Sequence, residues 1–421
     1  MSTQPDSQRS EPPSSLPMLA GRNYHCQCGQ PVFFRNSQCL ACKTPLGYDP
    51  ESGRLLPLMP GPQSSTWQEW QAPAGPQTAA AKRPLYKRCQ NLSTPARCNW
   101  LVPLDDRLQH CRACRLNHTI PDLANTAQPD NGYLWGLVEL AKRRLVSSLI
   151  LLYLPVASRM SEDTRRGLMF DFLRTPFNGP HVMTGHDTGL ITLNLDEADD
   201  AKREAIRKAM REPYRTLLGH LRHEVGHYYW DRLVAGTPWM DGFHQLFGDE
   251  TTHYAASLQH NYEQGPPSDW PLHFVSAYAS THPWEDWAEC WAHYLHMRDG
   301  IDTALSLGLS LDRSDLEFTP FTLDELYQPE HSQAEQFLAF LNHWTRLTTM
   351  LNEMSRSMGL PDFYPFVLPR EVVAKLHFIH LVVTSRSWLQ QPDSSSSSSP
   401  GLAMDAAQMQ TPSPQASGLP T

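Results

Sequence analysis

The sequence contains no uninterrupted apolar stretch long enough to span a bilayer. Its most apolar run, 145–157, is broken by Ser147 and Ser148 and preceded by Lys142, Arg143 and Arg144. That is short of the ~20 residues a membrane helix requires, and it reads as a buried core helix. The opening MSTQPDSQRSEPPSS lacks a basic segment followed by an apolar one, so no secretory signal is expected. An excess of positive charge is missing too: the formal net charge is −9, which argues against a dedicated nucleic-acid binder. Cysteine is nearly absent after residue 114. Eight of the nine lie between 26 and 114, and only Cys290 stands apart. In a chain read as soluble and cytoplasmic, where thiols stay reduced, that clustering favours metal binding over disulfides.

What is present divides the 421 residues into segments. Residues 1–21 are polar and proline-rich and are expected to be disordered. A cysteine module follows at 22–50. Residues 51–83, rich in Pro, Gln, Ala and Gly with Trp67 and Trp70 as the large anchors, read as a linker. A second cysteine module spans 84–122, and a large domain runs from 130 to 390. The low-complexity tail 391–421 is expected to be unstructured.

Within the large domain the pattern is mainly helical. Apolar periodicity predicts helices over 134–155, 197–212, 213–234, 283–298, 322–355 and 369–386. Pro213 falls near the start of the third. Thr281 is the expected cap of the fourth, with Gly300 beyond its end. Residues 181–195 read as a hairpin turning between Gly185 and Gly189. The expected fold class is therefore α+β.

The strongest chemical signal is His223-Glu224-Val225-Gly226-His227. Residues four apart on a helix share a face, so two imidazoles can hold one zinc while Glu224 stands beside it as a base for a bound water. With 19 His in the chain, chance would produce such a match on the order of 0.04 times. The metzincin continuation is excluded, because Trp230 and Leu233 occupy the positions that would need Gly and His. A third ligand is offered downstream by Tyr278-Ala-Ser-Thr-His-Pro-Trp-Glu285-Asp-Trp-Ala-Glu289. Glu285 and Glu289 are again one helical turn apart. One can ligate while the other hydrogen-bonds the far nitrogen of a ligand histidine. His244, Asp249, Glu250 and His253 lie between the two helices as alternative ligands, and Asp249 would make an aspartate-type site. His220 could face the same pocket, although a satisfied core histidine is the plainer reading. His282, His293, Cys290, Trp284, Trp287 and Trp291 read as structural.

The Tyr-x6-Glu-x-x-Ala-Glu arrangement after His-Glu-x-x-His resembles that of the lethal-factor peptidases among the gluzincins. The stretches TLLGHLRHEVGHYYW and SAYASTHPWEDWAE resemble a bacterial family of zinc-binding metallopeptidases carrying an N-terminal zinc ribbon, over about residues 24 to 385. The resemblance implies a zincin-like domain and a zinc-dependent endopeptidase that attacks peptide bonds with a zinc-bound water. It gives His223, His227 and Glu285 the role of catalytic zinc ligands and Glu224 that of the base. By position Tyr278 becomes the oxyanion donor and Glu289 the partner of a ligand histidine. An extended substrate could pair with 190–195 as an exposed edge strand.

Cys26-x-Cys28 with Cys39-x-x-Cys42, and Cys89 and Cys98 with Cys111-x-x-Cys114, each supply the four thiolates of a closed structural zinc site. Two structural zinc ions thus join the catalytic one. The Cys-x-Cys hook and the wide gap between Cys89 and Cys98 leave open how the ligands are shared. Disulfides and redox chemistry are the competing readings. Residues 81–118 carry eight Lys/Arg against two Asp, so the ribbons could meet a protein partner, a protein substrate or nucleic acid. The alternative to an enzyme is a ribbon adaptor, or a nucleic-acid-binding protein, with the helical domain as scaffold.

Overall fold

The structure, a computed structural model, describes residues 15–72, 83–125, 129–176, 178–210, 212–311 and 316–386. The expected disorder of 1–14 and the tail 391–421 lie outside the described residues.

The N-terminal part is built from short strands. β1 (Tyr24–His25) and β2 (Pro31–Val32) form a two-stranded ribbon. β3 (Leu46–Asp49), β4 (Arg54–Pro60), β5 (Trp67–Glu69), β6 (Tyr86–Arg88) and β7 (Leu101–Pro103) form one antiparallel meander. The segment read as a linker therefore carries two strands of the sheet that joins the cysteine modules. Pro57 and Pro60 disguise β4, whose Leu55, Leu56 and Leu58 are buried. Residues 73–82 of that segment lie outside the described residues.

β8 (Asn117–Thr119) leads into the large domain, and α1 (Asn131–Leu151) opens it, capped by the Asp130 carboxylate accepting from the Tyr133 N–H at 2.6 Å. A sheet follows, made of β9 (Met169–Leu173), β10 (Gly185–Asp187) and β11 (Leu190–Asn194) together with β8, in the order β10-β11-β9-β8. β10 pairs antiparallel with β11, and the other pairings are parallel. Residues 190–194 thus form an interior strand, and the edges belong to β10 and β8. The hairpin is tighter than expected, turning at Thr188-Gly189.

The helices are α2 (Asp200–Ala209), α3 (Leu217–Leu233), α4 (Met240–Phe247), α5 (Tyr254–Gln264), α6 (Trp270–His273), α7 (Pro283–Ser306), α8 (Ala334–Ser357) and α9 (Arg370–Ser385). Thr216, accepting from the Gly219 N–H, starts α3 after Pro213. His282 rather than Thr281 caps α7, its ring nitrogen accepting from the Trp284 N–H. That helix continues past Gly300 because the glycine packs against Trp344, where a Cβ would lie 2.6 Å from the indole. Among the described residues no helix is long and apolar enough to cross a membrane.

One core runs through both parts. It contains the first cysteine module's Tyr24 and Val32, Trp135 of α1, Tyr229 of α3 and Trp291 of α7. Residues 15–21, expected to be disordered, dock on α7: Leu16 and Ala20 are buried, and Arg298 donates to the Pro17 carbonyl. Arg22 follows, buried against Asp299 at 2.8 Å.

Candidate active site

α3 and α7 cross where both are small. A Cβ on Gly226 would lie 3.0 Å from the Ala288 Cα, and the Trp287 indole donates to the Gly226 carbonyl at 2.9 Å. The crossing sets Glu285 against the two histidines. His223 Nε2 is 3.0 Å from Glu285 Oε2 and 3.2 Å from His227 Nε2, and the third side of the triangle is 3.6 Å. Ligands about 2.0 Å from a tetrahedral ion stand roughly 3.3 Å apart, so the three atoms have the separation a single zinc requires. Glu285 Oε2 is buried and faces the two imidazole nitrogens without a well-aligned hydrogen bond, so an ion among the three atoms would complete a carboxylate oxygen that burial otherwise penalises.

The remaining atoms of these ligands are tied down. Glu289 takes the hydrogen bond of His223 Nδ1 at 2.7 Å and is itself held by the Ser276 hydroxyl at 2.7 Å. The Tyr254 hydroxyl donates to Glu285 Oε1 at 2.5 Å, leaving Oε2 as the inward oxygen. Burial, reinforced by Glu285, pushes the Tyr254 phenol far up. Trp284 covers His227 with ring centres 4.3 Å apart, and the Tyr278 ring stands 5.9 Å from that of His223.

Glu224 is buried beside the triangle, with Oε1 3.2 Å from His220 Nε2. Burial raises its pKa, but the His220, His223 and His227 rings outweigh that and hold it below the ordinary value. The far nitrogen of His220 meets Glu197 Oε2 at 2.6 Å, and Glu197 also receives Arg215 at 3.3 Å and the Thr184 hydroxyl at 2.7 Å. Against burial, His220 and Arg215 pull Glu197 down to about 2. His220 is thus satisfied at both ring nitrogens, as a structural histidine would be, and one of its two partners is Glu224.

The other candidates fall elsewhere. His244, Asp249 and Glu250 gather into a separate, largely exposed group in which His244 pairs with Glu250 at 2.7 Å. Asp249 thus stays out of the His223–His227 triangle. His253 caps α5, His293 pairs with Tyr364, and Cys290 is buried against Asp286. Tyr254 was not legible as a site residue, since it lies on the connecting segment without motif spacing. His220 carried one weak signal, its position one turn before Glu224.

The eight N-terminal cysteines form the two groups their order suggests, Cys26, Cys28, Cys39 and Cys42, then Cys89, Cys98, Cys111 and Cys114. The Sγ separations are 3.5 Å for Cys26–Cys42, 3.8 Å for Cys28–Cys39 and 3.6 Å for Cys98–Cys111. Thiolates about 2.3 Å from one zinc would be roughly 3.8 Å apart, whereas a disulfide is about 2.05 Å. The second group is wholly buried and faces α1, where Cys114 Sγ lies 3.9 Å from Glu139. Much of the basic charge of this module is engaged internally. Arg115 pairs with Asp106 and Glu162, Arg112 with Glu51, and Arg88 donates to the Leu46 carbonyl.

Residues 131–382 match the family model described as "Putative zinc-binding metallo-peptidase". The chain belongs to that family. Residues 23–125 match a zinc-ribbon domain, which spans both cysteine groups and the strands between them. Uncharacterized proteins of Mycobacterium bovis and of two Mycobacterium tuberculosis strains are 40% identical over 374 residues, covering 86% of this chain and 95% of each relative. No solved structure matches the chain.

Proposed function

We propose that this family member is a zinc-dependent endopeptidase of the gluzincin type on a zincin-like domain, working in the cytoplasm. The observation that carries the reading is the triangle of His223 Nε2, His227 Nε2 and Glu285 Oε2, with Glu224 buried at its side. Zinc held there supplies Lewis-acid chemistry, the polarisation of a carbonyl and the acidification of water.

The chain's own residues do the rest. Glu224 takes the proton of the attacking water and returns it to the leaving amine. Tyr278 donates to the developing oxyanion. Glu289 and Tyr254 orient the ligands on which the geometry depends. The edge strand β10 pairs with an extended substrate in place of the interior strand β11. The ribbons hold a protein substrate near the site, and their role is supported by the exposed Phe33 and Leu40 beside the first cysteine group. Internal pairing of the basic residues favours a protein over nucleic acid.

Glu224→Gln against the wild type on a broad peptide library tests the reading. Cleavage should fall ~10²–10⁴-fold, the usual worth of a general base, with zinc content unchanged. Identical profiles would leave the adaptor reading.

A further inference from the structure

Glu224 needs one carboxylate oxygen aimed at water, and the proposed reaction says nothing about what aims it. The structure places two side chains in succession behind it, His220 and then Glu197. Thr184 and Arg215 fix Glu197, Glu197 Oε2 meets His220 Nδ1 at 2.6 Å, and His220 Nε2 meets Glu224 Oε1 at 3.2 Å. Separate parts of the chain contribute: the segment before β10 supplies Thr184, the segment that follows β11 supplies Glu197, Arg215 lies just before α3, and α3 carries His220 and Glu224 one turn apart.

We infer that His220, anchored by Glu197, is a positioning residue for Glu224. With a carboxylate oxygen on each side, each ring nitrogen donates. Nε2–H occupies Glu224 Oε1 and leaves Oε2 as the oxygen that accepts a proton from water. Glu197, itself held by Arg215 and Thr184, prevents the ring from turning away, since rotation would break a short charge-assisted hydrogen bond in a buried site. A free Glu224 side chain could rotate about three bonds, and misplacing a reacting group by about 1 Å costs on the order of 10²-fold in rate. The inference rests on the peptidase reading for its kinetic consequence, though not for its geometry.

Two substitutions separate positioning from mere packing, because Gln places its amide nitrogen near Nε2 and Asn near Nδ1. His220→Gln keeps the donor to Glu224 and should hold kcat within a few-fold. His220→Asn keeps only the link to Glu197 and should lower kcat by about 10–100-fold, the usual effect of losing a residue that orients an active group, with KM and zinc content unchanged. Equal losses in both variants, or none in His220→Asn, would overturn the inference. A long-range proton–nitrogen correlation spectrum of the histidine-labelled wild type requires no turnover. It should contain a strongly downfield Nδ1 proton that disappears in Glu197→Gln, and its absence would overturn the inference even if every variant misfolded. If that proton is present while the wild type cleaves no peptide, the relay stands and the peptidase reading falls.

Discussion

Gly226 of α3 and Ala288 of α7 meet nearly backbone to backbone, a Cβ on the first lying 3.0 Å from the Cα of the second. The contact fixes how near the ligand-bearing faces of the two helices come. Glu285 stands one turn before Ala288, and His223 and His227 flank Gly226, so any increase in the helix separation pulls the carboxylate from the imidazoles.

Gly226→Ala is therefore expected to damage the site rather than simply to stiffen the helix. The new methyl presses on backbone that cannot swing away. Overpacking of this kind costs about 1–3 kcal/mol, and a small displacement of Glu285 should weaken zinc binding by roughly 10–100-fold. Competition with a chromogenic chelator reads the affinity. A variant that binds as tightly as wild type would show that the helices tolerate the separation.

Tyr254 and Tyr278 should separate by phenotype. Tyr254→Phe removes the donor from Glu285 Oε1 and is expected to lower zinc affinity about 10-fold, as for other residues that orient a ligand. Tyr278→Phe should leave affinity intact and reduce kcat by roughly 10²–10³-fold if its hydroxyl donates to an oxyanion. Titration with zinc and steady-state kinetics on the two variants distinguish them, and the reverse pattern would exchange their roles.

The two cysteine groups differ in access. Cys28 and Cys42 are exposed, while Cys89, Cys98, Cys111 and Cys114 are all buried. Under excess chelator the first group should release its metal in an early phase, and the second only as the fold opens, since binding and folding are coupled there. Cys28→Ser should remove the early phase alone. Simultaneous release from both groups would contradict the difference.

Acid should loosen the junction between Arg22 and the helical domain. Burial raises the Asp299 carboxyl, but Arg144, Arg222 and Arg22 outweigh it and hold its pKa well below the ordinary value. A depressed acid contributes stability that is complete above the unfolded value, about 3.9, and is lost as pH falls towards the folded one. Unfolding in urea should thus show a steep drop in stability below pH about 4. Asp299→Asn should be weaker at pH 7 by about 3–5 kcal/mol, because it strands buried guanidiniums, and should lack part of that drop.

The chemistry written in short spacings was legible in the sequence, and the chemistry built by long-range packing was not. His223, Glu224 and His227 lie within five residues and Glu285 and Glu289 within another five, with the two histidines and the two glutamates each one helical turn apart. The cysteine order likewise announces its two groups. Tyr254 reaches Glu285 across 31 residues and Glu197 reaches His220 across 23, with no period to mark either. β4 was hidden because proline argues against a strand, yet Pro57 pairs with Leu46 and its carbonyl accepts from the Trp70 N–H. Residues 15–21 look disordered by composition and are held by Asp302 and Arg298, partners almost 300 residues away.

The most direct test is the zinc content of the purified chain, measured by mass spectrometry of the metal. Three ions per chain are expected, falling to two when His223 and His227 are both replaced by Ala. A double histidine variant that still carries three, or a wild type that carries only two, would contradict a metal centre at the crossing of α3 and α7.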